Sequence, residues 1–406
     1  MTIADRLNGK KILIWGYGRE GRSTEAFLLS HCPDAQLQVF EGGRDEIDED
    51  AYDLIIKSPG IKMAEDDPRY TSQTELFLES FRDQVVGITG TKGKSTTATL
   101  LYEAIRACDR DALFVGNIGR PCFDDVDRLR PDTVIIYEMS CHQLAHAHVS
   151  PHIAVFLNLF EEHLDYYGTL QNYFEAKSNI ARHQKEGDVF LRGWNVPEIE
   201  TRARVVALAE HPERDWHLKI SGEQNRYNAE TAYYIATELL GLDHVRVREA
   251  IERYAGLPHR LQLLGMRSGV FYYDDSISTI PEATVAAVHG IDNVRTVLIG
   301  GMDRGIDYHK LVELILDSPA VQFICAYDSG KRVFQETLER CRKEGRELPG
   351  NLHSAADLRE QVEMAARMTP EGEACILSPA AASYGYFKNF EERGDVFREL
   401  VFGHDR

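Results

Sequence analysis

The sequence predicts an α/β protein of three consecutive domains, in which two Rossmann-like domains flank a central P-loop domain. Three observations lead there. Short apolar runs alternate with helical stretches along the whole chain, the rhythm of parallel sheets. Two glycine loops each follow a predicted strand and open a predicted helix. The length, 406 residues, suits about two or three domains of roughly 150 residues each.

The first domain, residues 1–82, contains strands over Lys11–Trp15, Gln36–Phe40 and Asp53–Ile56, with a helical stretch over Ser23–Ser30. The second, residues 83–255, opens on the strand Gln84–Thr89 and its glycine loop. A helix from about Ser95 follows, then strands over Ala112–Val115, Thr133–Tyr137 and Ile153–Leu157. Gly256-Leu257-Pro258-His259 interrupts a helical stretch and marks a boundary near residue 255. Beyond it, Phe271–Tyr273, Thr296–Ile299, Phe323–Ala326 and Cys375–Leu377 form a third strand series over 256–406. No internal repeat or low-complexity tract is visible.

Composition excludes several classes of function. With 43% hydrophobic and 27% charged residues, and 31 glycines scattered without period, the chain reads as globular. Its 46 Lys and Arg against 65 Asp and Glu give a formal charge of −19, which repels a phosphate backbone and argues against a nucleic-acid partner. Apolar runs such as Ile153–Leu157 fall far short of the ~20 residues of a membrane helix. The opening MTIADRLNGKK has no apolar h-region, so the expected location is the cytoplasm. Seven cysteines, widely spaced and without a CxxC pair, suit reduced thiols.

Gly16, Gly18 and Gly21 fit G-x-G-x-x-G, with Glu41 about 20 residues on at the end of the next strand. The physics accepts any diphosphate-bearing ligand: glycines admit backbone N–H donors, and a helix N-terminus attracts anions. A dinucleotide, another nucleotide such as a UDP-sugar, and a tight turn without ligand all remain open. Gly90-Thr91-Lys92-Gly93-Lys94-Ser95-Thr96 is the stronger signal. It departs from strict G-x-x-x-x-G-K-[ST], because Ile88 stands where the first glycine belongs. The mechanics survive: Gly90 and Gly93 let donors face phosphate oxygens, Lys94 neutralises the outer phosphates, and Ser95 or Thr96 can ligate Mg²⁺.

In that form the loop is similar to the nucleotide loop of the Mur ligases and their folylpolyglutamate synthase relatives. The resemblance continues in order through Gly116-Asn117-Ile118-Gly119, Glu138-Met139-Ser140-Cys141-His142-Gln143-Leu144, Asn158, Glu162-His163-Leu164-Asp165 and Ala176-Lys177. It extends to Asn225-x-x-Asn228, Gly256 to Arg260, Asp275-Ser276, Gly300-Gly301, Ser378-Pro379 and Phe387 to Gly394. The pattern resembles the glutamate-adding branch of the Mur ligases. It implies a UDP-sugar-binding first domain, a central P-loop ATPase domain and a glutamate-binding third domain. The implied activity is an ATP-dependent, ADP-forming amide-bond ligase of peptidoglycan precursor synthesis. UDP-N-acetylmuramoyl-L-alanine, ATP and D-glutamate are its small-molecule substrates, joined through an acyl phosphate.

Site roles follow from the same resemblance. Lys94, Glu138, His163, Lys177 and Arg260 carry the chemistry. Glu138 and Ser95 hold one Mg²⁺; His163 and Lys177, carbamylated to become an oxygen donor, hold a second. Gly90, Thr91, Lys92, Gly93, Lys94, Ser95, Thr96, Asn228, Arg260 and Asp275 face ATP. Gly18, Arg19, Glu20, Gly21, Glu41, Ser58, Pro59, Gly60, Asn117 and His163 face the UDP-linked substrate, and Thr279, Arg304, Ser383, Tyr384 and Phe390 the glutamate.

The third domain departs from the family pattern. Asp275-Ser276-Ile277-Ser278-Thr279-Ile280 replaces D-S-K-A-T-N, Arg304 stands where a lysine is common, and Tyr384 replaces a leucine. Arginine still suits a carboxylate, so an acidic amino acid is expected, with L-glutamate as an alternative to D-glutamate. His142 and His146 have the i, i+4 spacing of a helical zinc pair, although packing explains His142 more economically. The acidic run Asp45 to Asp50 reads as a solvated face. The rival readings are a folylpolyglutamate synthase, an NAD-dependent oxidoreductase using Gly16 to Gly21, and an inactive nucleotide-binding regulator.

Overall fold

In the computed structural model, which describes residues 2–62, 67–117, 120–220, 222–291 and 293–403, the chain builds three sheets. The first runs β2-β1-β3-β4 from β1 (Lys11–Trp15), β2 (Gln36–Phe40), β3 (Leu54–Lys57) and β4 (Tyr70–Thr71), all parallel. Ile12, Leu13, Ile14 and Trp15 are all buried, the near-continuous apolar pattern of a strand covered on both faces. The second sheet is wholly parallel in the order β10-β9-β8-β5-β7-β6. Its strands are β5 (Val85–Thr89), β6 (Ala112–Gly116), β7 (Val134–Glu138), β8 (Ile153–Phe156), β9 (Val189–Arg192) and β10 (Arg204–Ala207).

One apolar cluster runs from Ile3, Ile14 and Phe27 through Leu76 and Phe77 to Tyr137, Phe156 and Phe190. It joins the first two sheets, which belong to one compact unit, Met1–Tyr254. The second unit, Ala255–Arg406, carries the sheet β11-β12-β16-β13-β14-β15. Its strands are β11 (Gln262–Arg267), β12 (Val270–Asp274), β13 (Val294–Ile299), β14 (Gln322–Cys325), β15 (Leu352–Ser354) and β16 (Ala374–Leu377). Only the β11–β12 pair is antiparallel. Apolar clusters cover both faces of this sheet.

The strands expected from sequence fall within a residue or two of those observed. The strands β4, β9, β10, β11 and β15 were not anticipated. β4 and β15 are short, and β10 and β11 are largely exposed or half-buried, so these four carry no strong apolar run. β9 does carry one, the buried Val189-Phe190-Leu191, which sequence reasoning passed over. Gly256 to His259 ends a helix rather than interrupting one: His244–Arg253 stops before it and β11 follows. The acidic run is only partly a solvated face. Glu49 is half-buried and accepts hydrogen bonds from Arg44 Nε (2.8 Å), Arg69 Nη2 (2.7 Å) and the Tyr70 hydroxyl (2.6 Å). Among the described residues no helix is long and apolar enough to cross a membrane.

Candidate active site

Both glycine loops leave the carboxyl ends of strands where the sheet order reverses, the place where open α/β sheets bind ligands. The first joins β1 to the helix Arg19–His31. Gly16 has φ +91°, and a Cβ there would meet Ser58 Oγ at 2.7 Å; a Cβ on Gly21 would meet the Gly16 carbonyl oxygen at 2.2 Å. Ser58 Oγ donates to that carbonyl at 2.9 Å, which ties the loop after β3 to the loop after β1. Gly18, at the helix N-cap, faces open space.

Gly18, Arg19, Glu20, Ser58, Pro59, Gly60 and Asn117 line one hollow of about 350 Å³, with Ser140, His142 and Gln143 across it. Glu20 accepts a hydrogen bond from Gln143 Nε2 at 2.7 Å, while its Oε2 is enclosed without a partner. Burial pushes the Glu20 carboxyl up and brings the neighbouring Lys57 down to about 8. Glu41 follows β2, is exposed, and lies outside the hollow's lining. Ile118 and Gly119 lie outside the described residues.

The second loop joins β5 to the helix Lys94–Ala107, with Gly93 as N-cap at φ +84°. A Cβ on Gly93 would meet Asn228 Oδ1 at 2.5 Å, so Asn228 packs against the phosphate-loop glycine. Asn228 Oδ1 also accepts from Thr97 Oγ1 at 3.3 Å. Asn158, just past β8, clamps the loop: its Oδ1 accepts from Lys92 N (2.9 Å), its Nδ2 donates to Lys92 O (3.0 Å), and its carbonyl accepts from Thr91 N (3.0 Å). Lys92 pairs with Glu162 at 2.9 Å.

Two lysines converge on this loop. Lys94 Nζ donates to the carbonyls of Gly90 (2.8 Å) and Thr91 (3.1 Å). Lys177 Nζ donates to Gly90 O (2.9 Å) and Thr89 Oγ1 (3.3 Å) and lies 4.8 Å from the Tyr173 ring centroid. Lys177 is fully buried, and burial, reinforced by the Lys94 charge, brings it down to about 7. Burial also lowers Lys94. Glu138 ends β7 beside β5; Asn117 Nδ2 donates to its Oε1 at 3.0 Å, and its Oε2 is buried without a partner. Ser140, two residues on, caps the next helix, so Glu138 is not engaged as its cap. A buried carboxylate oxygen without a protein partner, beside a glycine loop, has the chemistry of a ligand for a hard cation. Ser95 is buried in the first turn of the Lys94 helix and Thr96 is half-buried beside it. His163 is exposed at φ +56°, its ring 6.0 Å from that of Tyr173.

Comparisons with known proteins give the family. The family model described as the Mur ligase middle domain matches residues 88–195. A UDP-N-acetylmuramoyl-L-alanine–L-glutamate ligase of Salinispora tropica is 32% identical over 99% of this chain and 99% of its own. The chain belongs to the Mur ligase family. A UDP-N-acetylmuramoylalanine–D-glutamate ligase of Pelotomaculum thermopropionicum is 29% identical to this Mur ligase, with 97% of each chain covered. In fold, the Mur ligase is similar to MurF of Thermotoga maritima, solved in complex with ADP, at a TM-score of 0.57, 16% identity, and 98% and 96% coverage.

The remaining expected residues of this Mur ligase lie in the second unit. Asp275, past β12, is buried: its Oδ1 accepts from Leu261 N at 3.1 Å, and its Oδ2 from Ser278 Oγ and from Ser378 Oγ at 2.8 Å. Burial raises it to about 6, against the opposing hydrogen bonds from Ser278, Ser378 and Leu261 N and, least, the Arg260 charge. Ser278, one of the departures from the family pattern, therefore serves to hold Asp275. Arg304 Nη2 donates to the Thr279 carbonyl at 3.0 Å, which brings two expected glutamate-site residues together. Ser383 is buried and Tyr384 exposed. The Phe390 carbonyl accepts from Ser276 Oγ at 2.8 Å, and its ring lies 6.1 Å from His259.

Sequence reasoning missed four features of this Mur ligase. Asn158 stood in a matched motif without a role, and its signal was a polar residue directly after a buried strand. Arg393 is buried, donates to Ser276 Oγ (2.9 Å) and O (2.7 Å), and is brought down to about 10 by burial. Tyr173 flanks Lys177. The helical zinc pair fails: the helix Cys141–Leu144 ends before His146. The side chains that do converge are Cys141, His142 and His163.

Proposed function

We propose that this Mur ligase joins D-glutamate to UDP-N-acetylmuramoyl-L-alanine with ATP, forming ADP and phosphate in a cytoplasmic step of peptidoglycan precursor synthesis. The observation that carries the reading is the enclosed cluster of Lys94, Lys177 and Glu138 around the Gly90–Gly93 loop. In the working division, residues 1–82 bind the UDP-sugar, 83–255 bind ATP and 256–406 bind glutamate.

The carboxylate of the UDP-linked substrate attacks the γ-phosphorus and the bond to ADP breaks. The glutamate amine then adds to the acyl carbon, loses a proton, and phosphate leaves. The reaction asks the protein for alignment and charge neutralisation. Gly90, Thr91, Lys92, Gly93, Lys94, Ser95 and Thr96 offer backbone donors and the Lys94 cation to the phosphates, with Asn158 holding the loop's shape. Asn228, Arg260 and Asp275 serve the nucleotide. Gly18, Arg19, Glu20, Gly21, Ser58, Pro59, Gly60 and Asn117, with Glu41 beyond them, serve the UDP moiety. Thr279, Arg304, Ser383, Tyr384 and Phe390 serve glutamate.

Mg²⁺ fits the donors present. The unpartnered Glu138 oxygen and the Ser95 hydroxyl suit one ion, and His163 and Lys177 a second. A lysine that titrates near pH 7 supplies the neutral amine that carbamylation needs. Bound Mg²⁺ would neutralise phosphate charge.

The test incubates the protein with ATP, Mg²⁺, UDP-N-acetylmuramoyl-L-alanine and each glutamate enantiomer separately, reading phosphate release and product mass. A product heavier by one glutamyl residue is expected with D-glutamate, and no turnover with either enantiomer would overturn the reading. L-glutamate is the second reading, supported by relatives of both names at comparable identity. Arg304→Ala should raise the KM for glutamate about tenfold or more, the loss of one charge-assisted pair, and leave the KM for ATP unchanged.

A further inference from the structure

We propose that Cys141, His142 and His163 form a site for a thiophilic divalent cation, Zn²⁺ above all, whose occupancy takes His163 from the magnesium set and stops ligation. The three come from two segments: Cys141 and His142 open the short helix after β7, and His163 stands in the connection after β8. Their ligand atoms all lie within 4.8 Å of one another. Ligands of one tetrahedral Zn²⁺ stand about 3.3–3.7 Å apart, so the set closes with a contraction of about 1 Å. The exposed His163 side chain has room to turn through that distance.

The surroundings favour such a site. Cys141 is buried, His142 half-buried and His163 exposed, so the sulfur lies deepest and the open coordination position faces solvent. Tyr166 and Tyr167 enclose the His142 ring at centroid distances of 4.4 and 5.6 Å. The Tyr167 oxygen lies 3.3 Å from His142 Nδ1. The tautomer that donates Nδ1–H to it leaves Nε2 as the basic nitrogen, and metal-bound imidazoles commonly have such an outer partner.

Donor chemistry separates this set from the magnesium residues. Mg²⁺ prefers oxygen, whereas one thiolate with two imidazoles selects Zn²⁺ or Co²⁺ and leaves a fourth position for water. As the sulfur–metal bond forms, the Cys141 thiol releases its proton to solvent. Because His163 belongs to both sets, a cation held by Cys141 and His142 competes with magnesium there. The inhibition rests on the ligase reading; the binding does not.

The test titrates Co²⁺ into the full-length, chelator-stripped, reduced protein and follows thiolate-to-cobalt charge-transfer absorption, then displaces Co²⁺ with Zn²⁺. A 1:1 complex is expected. Cys141→Ser should abolish the charge-transfer band, and both Cys141→Ser and His142→Phe should weaken Zn²⁺ binding by more than about tenfold. Circular dichroism of the metal-free variants checks that they fold. In the turnover assay at saturating Mg²⁺, Zn²⁺ should inhibit the wild type, a chelator should reverse it, and Cys141→Ser should resist it. Absence of the band, its survival in Cys141→Ser, or equal Zn²⁺ sensitivity of the two proteins would each overturn the proposal. Should the protein ligate nothing, the cobalt spectrum still decides whether the site exists.

Discussion

The two glycine loops of the first unit share a plan and differ in charge. Each leaves the carboxyl end of a central parallel strand, turns through a glycine at positive φ, Gly16 or Gly93, and opens a helix. The Gly16 loop has a buried carboxylate, Glu20, in the first helical turn, with its nearby cation, Lys57, set back at the end of β3. The Gly90 loop has two enclosed lysines donating to its own carbonyls and an unpartnered carboxylate oxygen in the neighbouring strand. Backbone donors at a helix N-terminus suffice to recognise a phosphate. Three lysines, Lys92, Lys94 and Lys177, gathered at one loop outnumber the carboxylates Glu138 and Glu162 beside them, so the second loop suits phosphoryl transfer and the first suits holding a substrate.

This contrast can be broken at several points. The largest effect belongs to Lys94→Ala, which should lower kcat for ATP-dependent phosphate release by at least about 10²–10³-fold; retained turnover would show that the two loops do not differ as described. A smaller effect separates two glycines of the first loop. Gly21→Ala drives a Cβ to 2.2 Å from a backbone oxygen and should cost about 1–3 kcal/mol in denaturant unfolding. Gly18→Ala meets no atom and should cost under about 1 kcal/mol, yet raise the KM for the UDP-linked substrate about tenfold while sparing ATP. Equal effects at the two positions would remove the distinction between packing and ligand glycines.

The smallest effect concerns Lys57, which titrates near 10.5 unfolded and about 8 folded. Between those values the unfolded chain binds more protons, so stability rises with pH through the window. Lys57→Met should flatten that part of the stability–pH curve, which the wild type climbs between about pH 8 and pH 10.5. An unchanged slope would mean that Lys57 is better solvated than its burial implies.

Much of the fold was legible because parallel strands buried on both faces must be apolar runs, as in Lys11–Trp15 and Val85–Thr89. The glycine loops were legible because only glycine tolerates the backbone at Gly16 and Gly93. The site was legible in part. Lys94 and Glu138 stand at strand and helix ends, where position alone suggests a role. Lys177 sits mid-helix, and only the family resemblance drew attention to it; its shift toward neutrality comes from burial and from the charge of Lys94, 83 residues earlier in the chain.

The order of residues along the chain by itself determined the alternation of strands and helices, the two phosphate loops and the membership in a ligase family, because periodicity, glycine and local motif are short-range properties. Only the tertiary structure decided which polar groups lose water together. Asn158 reaching back to Thr91 and Lys92, Ser278 and Ser378 closing on Asp275, and Cys141 meeting His163 all join residues that no local pattern pairs. Their chemistry depends on desolvation and distance, and both are set by packing.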